Sequence, residues 1–462
     1  MIDAAEPPKQ KAFKRQRALE GVLRTYKVRM LVTEAQRQEL KLAFSMARRS
    51  YNWAIDCINA GANTNFGELR KIFFSEPVPE WAQDKKGGHA VHTKFMARAI
   101  KQAWDAFQTN WAKWRKNPKH HFKVGFRSLK TSYTEVLILE SNPNGTNSSQ
   151  LRKYEATAST HRDGRAECLV HIGGNLSGAG PIRLQDKQRV IDKLVAEGKT
   201  PQEDAKILWD KRTGDYHLVY TYVQPVDPDP DPSFERKRVV AGDPGEREFS
   251  RWGSPTDGKH GELLTGFRDA IFSRCKAIGT LQSRVDKRQL KNAPRPGGYA
   301  RTARQRYETT RRLRRKLARE RRRLHNWVQQ AHYDAANHLL SRYDVLIMPK
   351  LETACMVQKD SRVFGCKVAR SMCTMSHGLF ADRLKSAASR YPGRHVSTDT
   401  GEPGTSKTCS CCGHWHAALG SSKTFTCPSC DVCMDRDVNG WRGNLFAAYG
   451  KAVGVGWDGR SG

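Results

Sequence analysis

A multidomain α+β chain is expected from three features of the 462-residue sequence. Strand-like runs fill much of residues 131–225, the run VDPDPDPS at 226–233 interrupts the chain, and strand–helix alternation resumes beyond it. Six of the twelve cysteines then crowd between Cys409 and Cys433, the density of a small metal-binding insert. At roughly 100–200 residues per domain, the length allows two to four domains. Lys and Arg number 80 against 47 Asp and Glu, and the net charge of +33 calls for an anionic partner. Nucleic acid fits best, because no strongly amphipathic anchor helix stands out for a membrane surface. No run of about 18 apolar residues exists, so no transmembrane helix is expected. The N-terminal MIDAAEPPKQKAFKRQR lacks the apolar core of a signal peptide.

In chain order, residues 1–20 form a basic tail, expected to be disordered or an arm for nuclear import or nucleic acid. VLRTYKVRMLV at 22–32 alternates as a strand does, and Thr33 with Gln36 then has the spacing of a capping box opening a helix. A second helical region spans about 90–116. Its Trp104, Phe107, Trp111 and Trp114 recur at i, i+3, i+7 and i+10, the spacing of a core-facing stripe. Basic residues interleave with Phe122 and Phe126 over 113–130, a pattern suited to phosphate contact. KILWDKRTGDYHLVYTYV reads as a hairpin turning at Thr213-Gly214.

Beyond the linker, RKRVVAGDPG at 236–245 is an apolar strand ending in an acid and a tight turn. Residues 266–342 are mostly helical and intensely basic, with KNAPRPGGYA breaking the pattern into two helices. Leu313, Leu317, Leu324 and Trp327 mark one apolar face in RRLRRKLARERRRLHNW. The remaining faces are nearly all arginine, which favours nucleic-acid contact over an ordinary solvated helix. YDVLIMPK at 343–350 and GRHVSTDT at 393–400, with helix between them, are consistent with a βαβ unit. A last helix starts near Asp437.

Two sets of residues carry chemistry. Cys409-Ser-Cys-Cys412 and Cys427-Pro-Ser-Cys430 supply four thiolates for one tetrahedral, structural Zn²⁺, with Cys411 and Cys433 as spectators and His414 and His416 as weaker ligand candidates. Asp243 ends a strand, and Asp435 and Asp437 lie at a helix start. Carboxylates so placed suit an RNase H-like nuclease, where they bind two Mg²⁺.

Together, GDPG, TSKTCSCCG, the second CxxC and RDVNG resemble the TnpB and Fanzor group. The resemblance is strong across 237–445, weaker at 22–53, and without a motif at 140–205. It implies an RNA-guided, transposon-associated DNA endonuclease related to type V CRISPR effectors. The partners implied are an omega-type non-coding guide RNA and double-stranded target DNA, with no membrane. The domain plan implied is a β-barrel-like wedge (21–33 and 122–235) with a helical recognition insertion (34–121). An RNase H-like RuvC domain (236–404 and 434–462) follows, with a basic helical insertion at 266–342 and a zinc ribbon at 405–433. Nucleic-acid contacts are expected from Arg48, Arg49, Lys119, Lys123, Arg127, Arg311, Arg312, Arg315, Arg319 and Arg322. A nuclear location is expected if the host is eukaryotic, and the cytoplasm or nucleoid otherwise.

Carried over, Asp243 is the first RuvC acid and Asp437 the third. The second departs from the usual pattern, because Pro349 stands at the customary glutamate position. The Fanzor branch resembles this, with the glutamate supplied later, and Glu402 is that residue here. Neighbouring strands lie ~4.8 Å apart, so a glutamate leaving the next strand can reach the same metals. Glu352 is the alternative and Asp399 a third. Two rival functions stand beside guided cleavage: a catalytically weak RNA- or DNA-binding regulator, and an unguided RNase H-like recombinase or transposase.

Overall fold

The computed structural model describes residues 22–61, 65–75, 79–84, 89–117, 122–128, 134–139, 151–157, 167–172, 180–185, 205–224, 237–291, 300–351, 353–360, 362–398, 404–420 and 422–452. It divides into two compact units, Met1–Gln224 and Pro225–Gly462. The tail 1–20, the run 226–233, and Lys119, Glu352, Asp399 and Glu402 lie outside the described residues.

In the first unit, β1 (Val22–Leu31) leads into α1 (Glu34–Asn59). The Thr33 hydroxyl accepts from the Gln36 N–H, and the Gln36 side chain accepts from the Thr33 N–H at 2.9 Å, the reciprocal box its spacing predicts. After α2 (Phe66–Ser75) and α3 (Thr93–Lys116) come β2 (Thr134–Leu139), β3 (Leu151–Thr157), β4 (Glu167–Ile172), β5 (Ile182–Gln185), β6 (Ala205–Asp210) and β7 (Asp215–Gln224). The seven strands form one antiparallel sheet in the order β2-β6-β7-β1-β5-β4-β3. The β6–β7 hairpin turns through Lys211–Gly214, where Gly214 takes φ +76°, a conformation glycine adopts freely. Alternate strand residues, Val28 and Met30 or Ala205 and Ile207, are buried against Leu40, Phe44, Tyr51, Phe95 and Ile100 of α1 and α3.

The aromatic stripe of α3 only partly meets expectation. Its fully buried residues are Phe95, Met96, Ala99, Ile100 and Ala103. Trp104 and Phe107 are half-buried against that core, and a ladder continues to Trp111 and Trp114, whose rings are 4.9 Å apart and also half-buried. The period predicts the face correctly, but the helix outruns the core it packs on.

In the second unit, β8 (Val239–Pro244), β9 (Ser250–Gly253) and β10 (His260–Leu263) form an antiparallel meander. Two long helices, α4 (Phe267–Lys291) and α5 (Ala300–Leu340), precede β11 (Val345–Ile347). Then come α6 (Thr353–Met356), α7 (Cys366–Met375), α8 (His377–Ala388) and β12 (His395–Ser397). β13 (Thr424–Thr426), β14 (Cys433–Asp435) and α9 (Arg436–Ala452) complete the unit. The sheet order is β10-β9-β8-β11-β12, with β8, β11 and β12 parallel. Both faces are covered, so consecutive residues point into different cores. Val240 and Leu346 pack with Phe267, Ile271, Leu339 and Phe380, whereas Ala241 and Ile347 pack on Trp441 of α9. Asp344 ties the strand ends together, accepting from the Arg238 N–H at 2.8 Å and pairing with Arg394.

Candidate active site and metal centre

Asp243 is the fifth residue of β8, near the carboxyl end of the middle strand of the five-stranded sheet. Asp437 is in the first turn of α9, where its N–H donates to Asp435 Oδ1 at 2.8 Å. Asp435 is therefore a helix cap, which explains an acid adjacent to the candidate ligand. Both Asp243 and Asp437 line a cleft of about 420 Å³, together with Glu246, Glu248, Arg251, Lys423 and Arg436.

Helix α9 approaches the acid closely because of its sequence. Asp437, Gly440, Trp441 and Asn444 fall at i, i+3, i+4 and i+7, on one face. A Cβ on Gly440 would lie 2.1 Å from Asp243 Oδ2, so only glycine admits the carboxylate there. Asn444, 2% exposed, donates to Gly242 O at 3.0 Å and to Asp243 Oδ1 at 3.4 Å. Trp441 sits on Gly253 of β9, where a Cβ would meet its ring at 2.3 Å.

Burial pushes the Asp243 carboxyl up to about 7, and the nearby Asp437 adds to the rise. Asp437 is itself raised, first by burial and then by Asp435 and Glu248. Glu248 is lowered, chiefly by its bond with Arg251 and also by Lys423, whose Nζ stands 2.7 Å from Glu248 Oε1. Two mutually repelling carboxylates in one cleft are a hard-cation donor set, and the residues present fit Mg²⁺. β11 and β12 are parallel neighbours, as the argument for Glu402 requires. Glu402, Glu352 and Asp399 themselves lie outside the described residues.

The cysteine cluster assembles as its spacing predicts. The sulfurs of Cys409, Cys412, Cys427 and Cys430 all lie within 4.8 Å of one another. Cys409 to Cys430 is 3.8 Å and Cys412 to Cys427 is 3.6 Å. A tetrahedral site with Zn–S of about 2.3 Å separates its sulfurs by about 3.8 Å, so the cluster fits zinc. Each knuckle aims a backbone N–H at its first sulfur, Cys411 at Cys409 and Ser429 at Cys427, both at 3.4 Å. Cys411, Cys433, His414 and His416 are not in the cluster. The antiparallel pair β13–β14 frames the second knuckle, and β14 runs directly into α9. Asn439 of α9, fully buried, accepts from the Ser410 N–H and donates to Thr408 O, both at 2.8 Å. The ribbon is thus bonded to the helix that carries Asp437.

The expected nucleic-acid contacts divide. Arg48 is held by both oxygens of Glu135 at 2.9 Å, and Lys211 joins the same carboxylate. Arg127 stacks 3.7 Å over Tyr51 and donates to Gln102 at 2.8 Å. These two arginines, expected as nucleic-acid contacts, also brace the first unit through these internal partners. Arg49, Lys123, Arg311, Arg312 and Arg319 are exposed, and Arg315 and Arg322 are half-buried. Sequence reasoning missed Glu248, Lys423, Gly440 and Asn444. The i, i+3, i+7 spacing from Asp437 could have found the last two.

A family model described as the Cas12f1-like TNB domain matches residues 377–442, and one described as a helix-turn-helix domain matches 22–59. In this chain the latter stretch is β1 followed by α1. A putative transposase of Paramecium bursaria Chlorella virus 1 is 27% identical over 436 residues, 92% of this chain and 87% of that protein. A TnpB-like protein of Acanthamoeba polyphaga mimivirus is 32% identical over 127 residues, 28% of this chain and 24% of that protein. The solved structure of CasPhi-2 (Cas12j) bound to crRNA and phosphorothioate-DNA aligns with TM-score 0.49 and 12% identity, over 93% of this chain and 92% of that one. The two family-model matches and the transposase and TnpB-like relatives support the resemblance to the TnpB and Fanzor group that the motifs carry.

Proposed function

We propose that the chain is an RNA-guided DNA endonuclease of RNase H-like, RuvC type. The observation that carries the reading is the pair Asp243 and Asp437, from a central strand end and a helix start, lining one cleft. The sheet order, two antiparallel strands beside three parallel ones, agrees with an RNase H-like domain. Asp243, Asp437 and Glu402 would hold the Mg²⁺. Bound there, the metal would lower the pKa of a water and offset charge on the leaving oxygen. Asn444 holds the Asp243 carboxylate and Gly440 makes room for it, while the Asp435 cap and the Asn439 bonds to Thr408 and Ser410 fix the start of α9. Zinc in the four-cysteine cluster would have no open position and so a structural role.

Guide RNA and double-stranded DNA are the partners proposed, with sequence read by base pairing and the protein holding backbone and shape. The net charge of +33 and the exposed arginines of α5 supply the electrostatic means. No described helix is long and apolar enough to cross a membrane. A nuclear site of action is proposed for a eukaryotic host. The test is to sequence the RNA that copurifies on expression with native flanking DNA, then assay Mg²⁺-dependent cutting of a matching duplex. One abundant RNA with fixed ends and guided cutting is expected. Random RNA and no cutting would overturn the reading.

A further inference from the structure

The second unit has another cavity, of about 180 Å³, that shares no residue with the acidic cleft. It lies between α5 and the junction of α7 with α8, lined by Arg321, His325, Thr374, Ser376, Leu379 and Arg383 among others, with no Asp or Glu. Arg383 is half-buried, and burial disfavours its charge. Its guanidinium donates to His332 Nδ1 at 2.7 Å, and His332 Nε2 meets Met375 O at 2.9 Å. That imidazole is fully buried and is pushed down to about 3, chiefly by burial, so it is neutral. A neutral ring donating from Nε2 and accepting at Nδ1 fixes Arg383 without neutralising it. Arg321 likewise bonds the neutral Gln282, at 2.8 Å. Among the described residues no carboxylate pairs with Arg321 or Arg383.

The start of α8 meets the same cavity. Ser376 stands at the cap position with φ +54°, but its hydroxyl donates to Cys373 O at 2.8 Å and makes no cap bond to α8. The first-turn N–H groups of His377, Gly378 and Leu379 are left without a side-chain cap, and the space beside Gly378 is open. Unsatisfied amides and the helix dipole make this end electropositive. The volume equals the share of about six waters at ~30 Å³ each, enough for a phosphate group with water.

We propose that this cavity is a phosphate-binding site, formed by Arg321, His325, Arg383 and the α8 amides, and that it takes a backbone phosphate of bound RNA or free phosphate. The RNA source rests on the nucleic-acid binding proposed above but not on cleavage. Full-length protein is titrated with a fluorescein-labelled single-stranded RNA of mixed sequence over a range of salt. Melting is then followed with and without inorganic phosphate. Wild type is compared with R321Q, the double variant R321Q/H325Q, and D437N. If RNA fills the site, R321Q weakens binding several-fold and lowers the log K against log salt slope by about 0.7, the loss of one phosphate contact. If free phosphate fills it, RNA binding is unchanged, and phosphate raises the Tm of wild type but not of R321Q/H325Q. D437N, whose only expected loss is cutting, behaves as wild type in both arms and so separates this site from the nuclease reading. Equal RNA slopes with no phosphate-dependent Tm shift in wild type overturn the proposal.

Discussion

Buried charge is handled in opposite ways in the two units. In the first, Glu135 is enclosed with two cations, Arg48 at 2.9 Å and Lys211 at 2.8 Å, and its side chain is 10% exposed. Each charge has its complement, and the site is a brace between α1, β2 and the β6–β7 turn. In the second, Asp243 is enclosed beside a second acid, with an amide as its side-chain partner, and its carboxyl is pushed up to about 7. Uncompensated burial costs several kcal/mol. A fold keeps such a site where something absent from the chain supplies the missing charge. The contrast separates an acid whose charge is matched by cations of the same unit from an acid raised by burial and by a second acid beside it.

The strongest way to break that comparison is to remove the acids of the cleft. Asp243→Asn or Asp437→Asn is expected to lower cutting by on the order of a thousandfold or more, while RNA binding persists. Normal cutting by either variant would remove the cleft from the mechanism. Glu402→Ala should be equally inactive and Glu352→Ala active; the reverse pattern would move the second acid to Glu352. By contrast, Arg48→Ala should cost about 2 kcal/mol of stability, read as a lower denaturation midpoint, by removing one of the two cations that hold Glu135.

Next in size is the ribbon. Chelation, or Cys427→Ser, is expected to loosen the β13–β14 hairpin and, through Asn439, the start of α9. Cutting should fall by at least tenfold, with one zinc per chain lost by elemental analysis. A chain that cuts normally without zinc would uncouple ribbon from cleft. Gly440→Ala is a smaller, local version of the same test. Its Cβ collides with Asp243 Oδ2, so cutting should drop about a hundredfold with RNA affinity unchanged.

Much of this was legible in the sequence, for reasons that are local. Capping boxes, CxxC spacing and strand-end acids are short-range signals, and Thr33–Gln36, the four cysteines, Asp243 and Asp437 stand where those signals put them. What was not legible depends on which surfaces meet. Arginine in an amphipathic helix looks the same whether it meets phosphate or Glu135. The α3 stripe has one period along its length, but the core it packs on ends near Phe107. Glu248 and Lys423 are 175 residues apart, and only the folded sheet and ribbon bring them together.

The subtlest test of the comparison is thermodynamic, and it needs no substrate. A carboxyl raised from ~3.9 in the unfolded chain to about 7 in the fold keeps a proton that the unfolded chain has released between those values. In that window the folded state binds more protons, so the Asp243 contribution to stability falls as pH rises from about 4 to 7. Below about pH 4 both states are protonated and nothing is lost. Asp243→Asn removes the penalty, since an amide stays neutral. Without divalent metal the variant should therefore melt a few degrees above wild type at pH 7.5, and the gap should close by pH 4. Mg²⁺ should raise the wild-type Tm and leave the variant nearly unmoved, because the cation replaces the proton as the partner of the acid pair. A variant less stable than wild type at pH 7.5 would mean that Asp243 is held as Glu135 is, by compensation within the chain, and the contrast between the two units would fail.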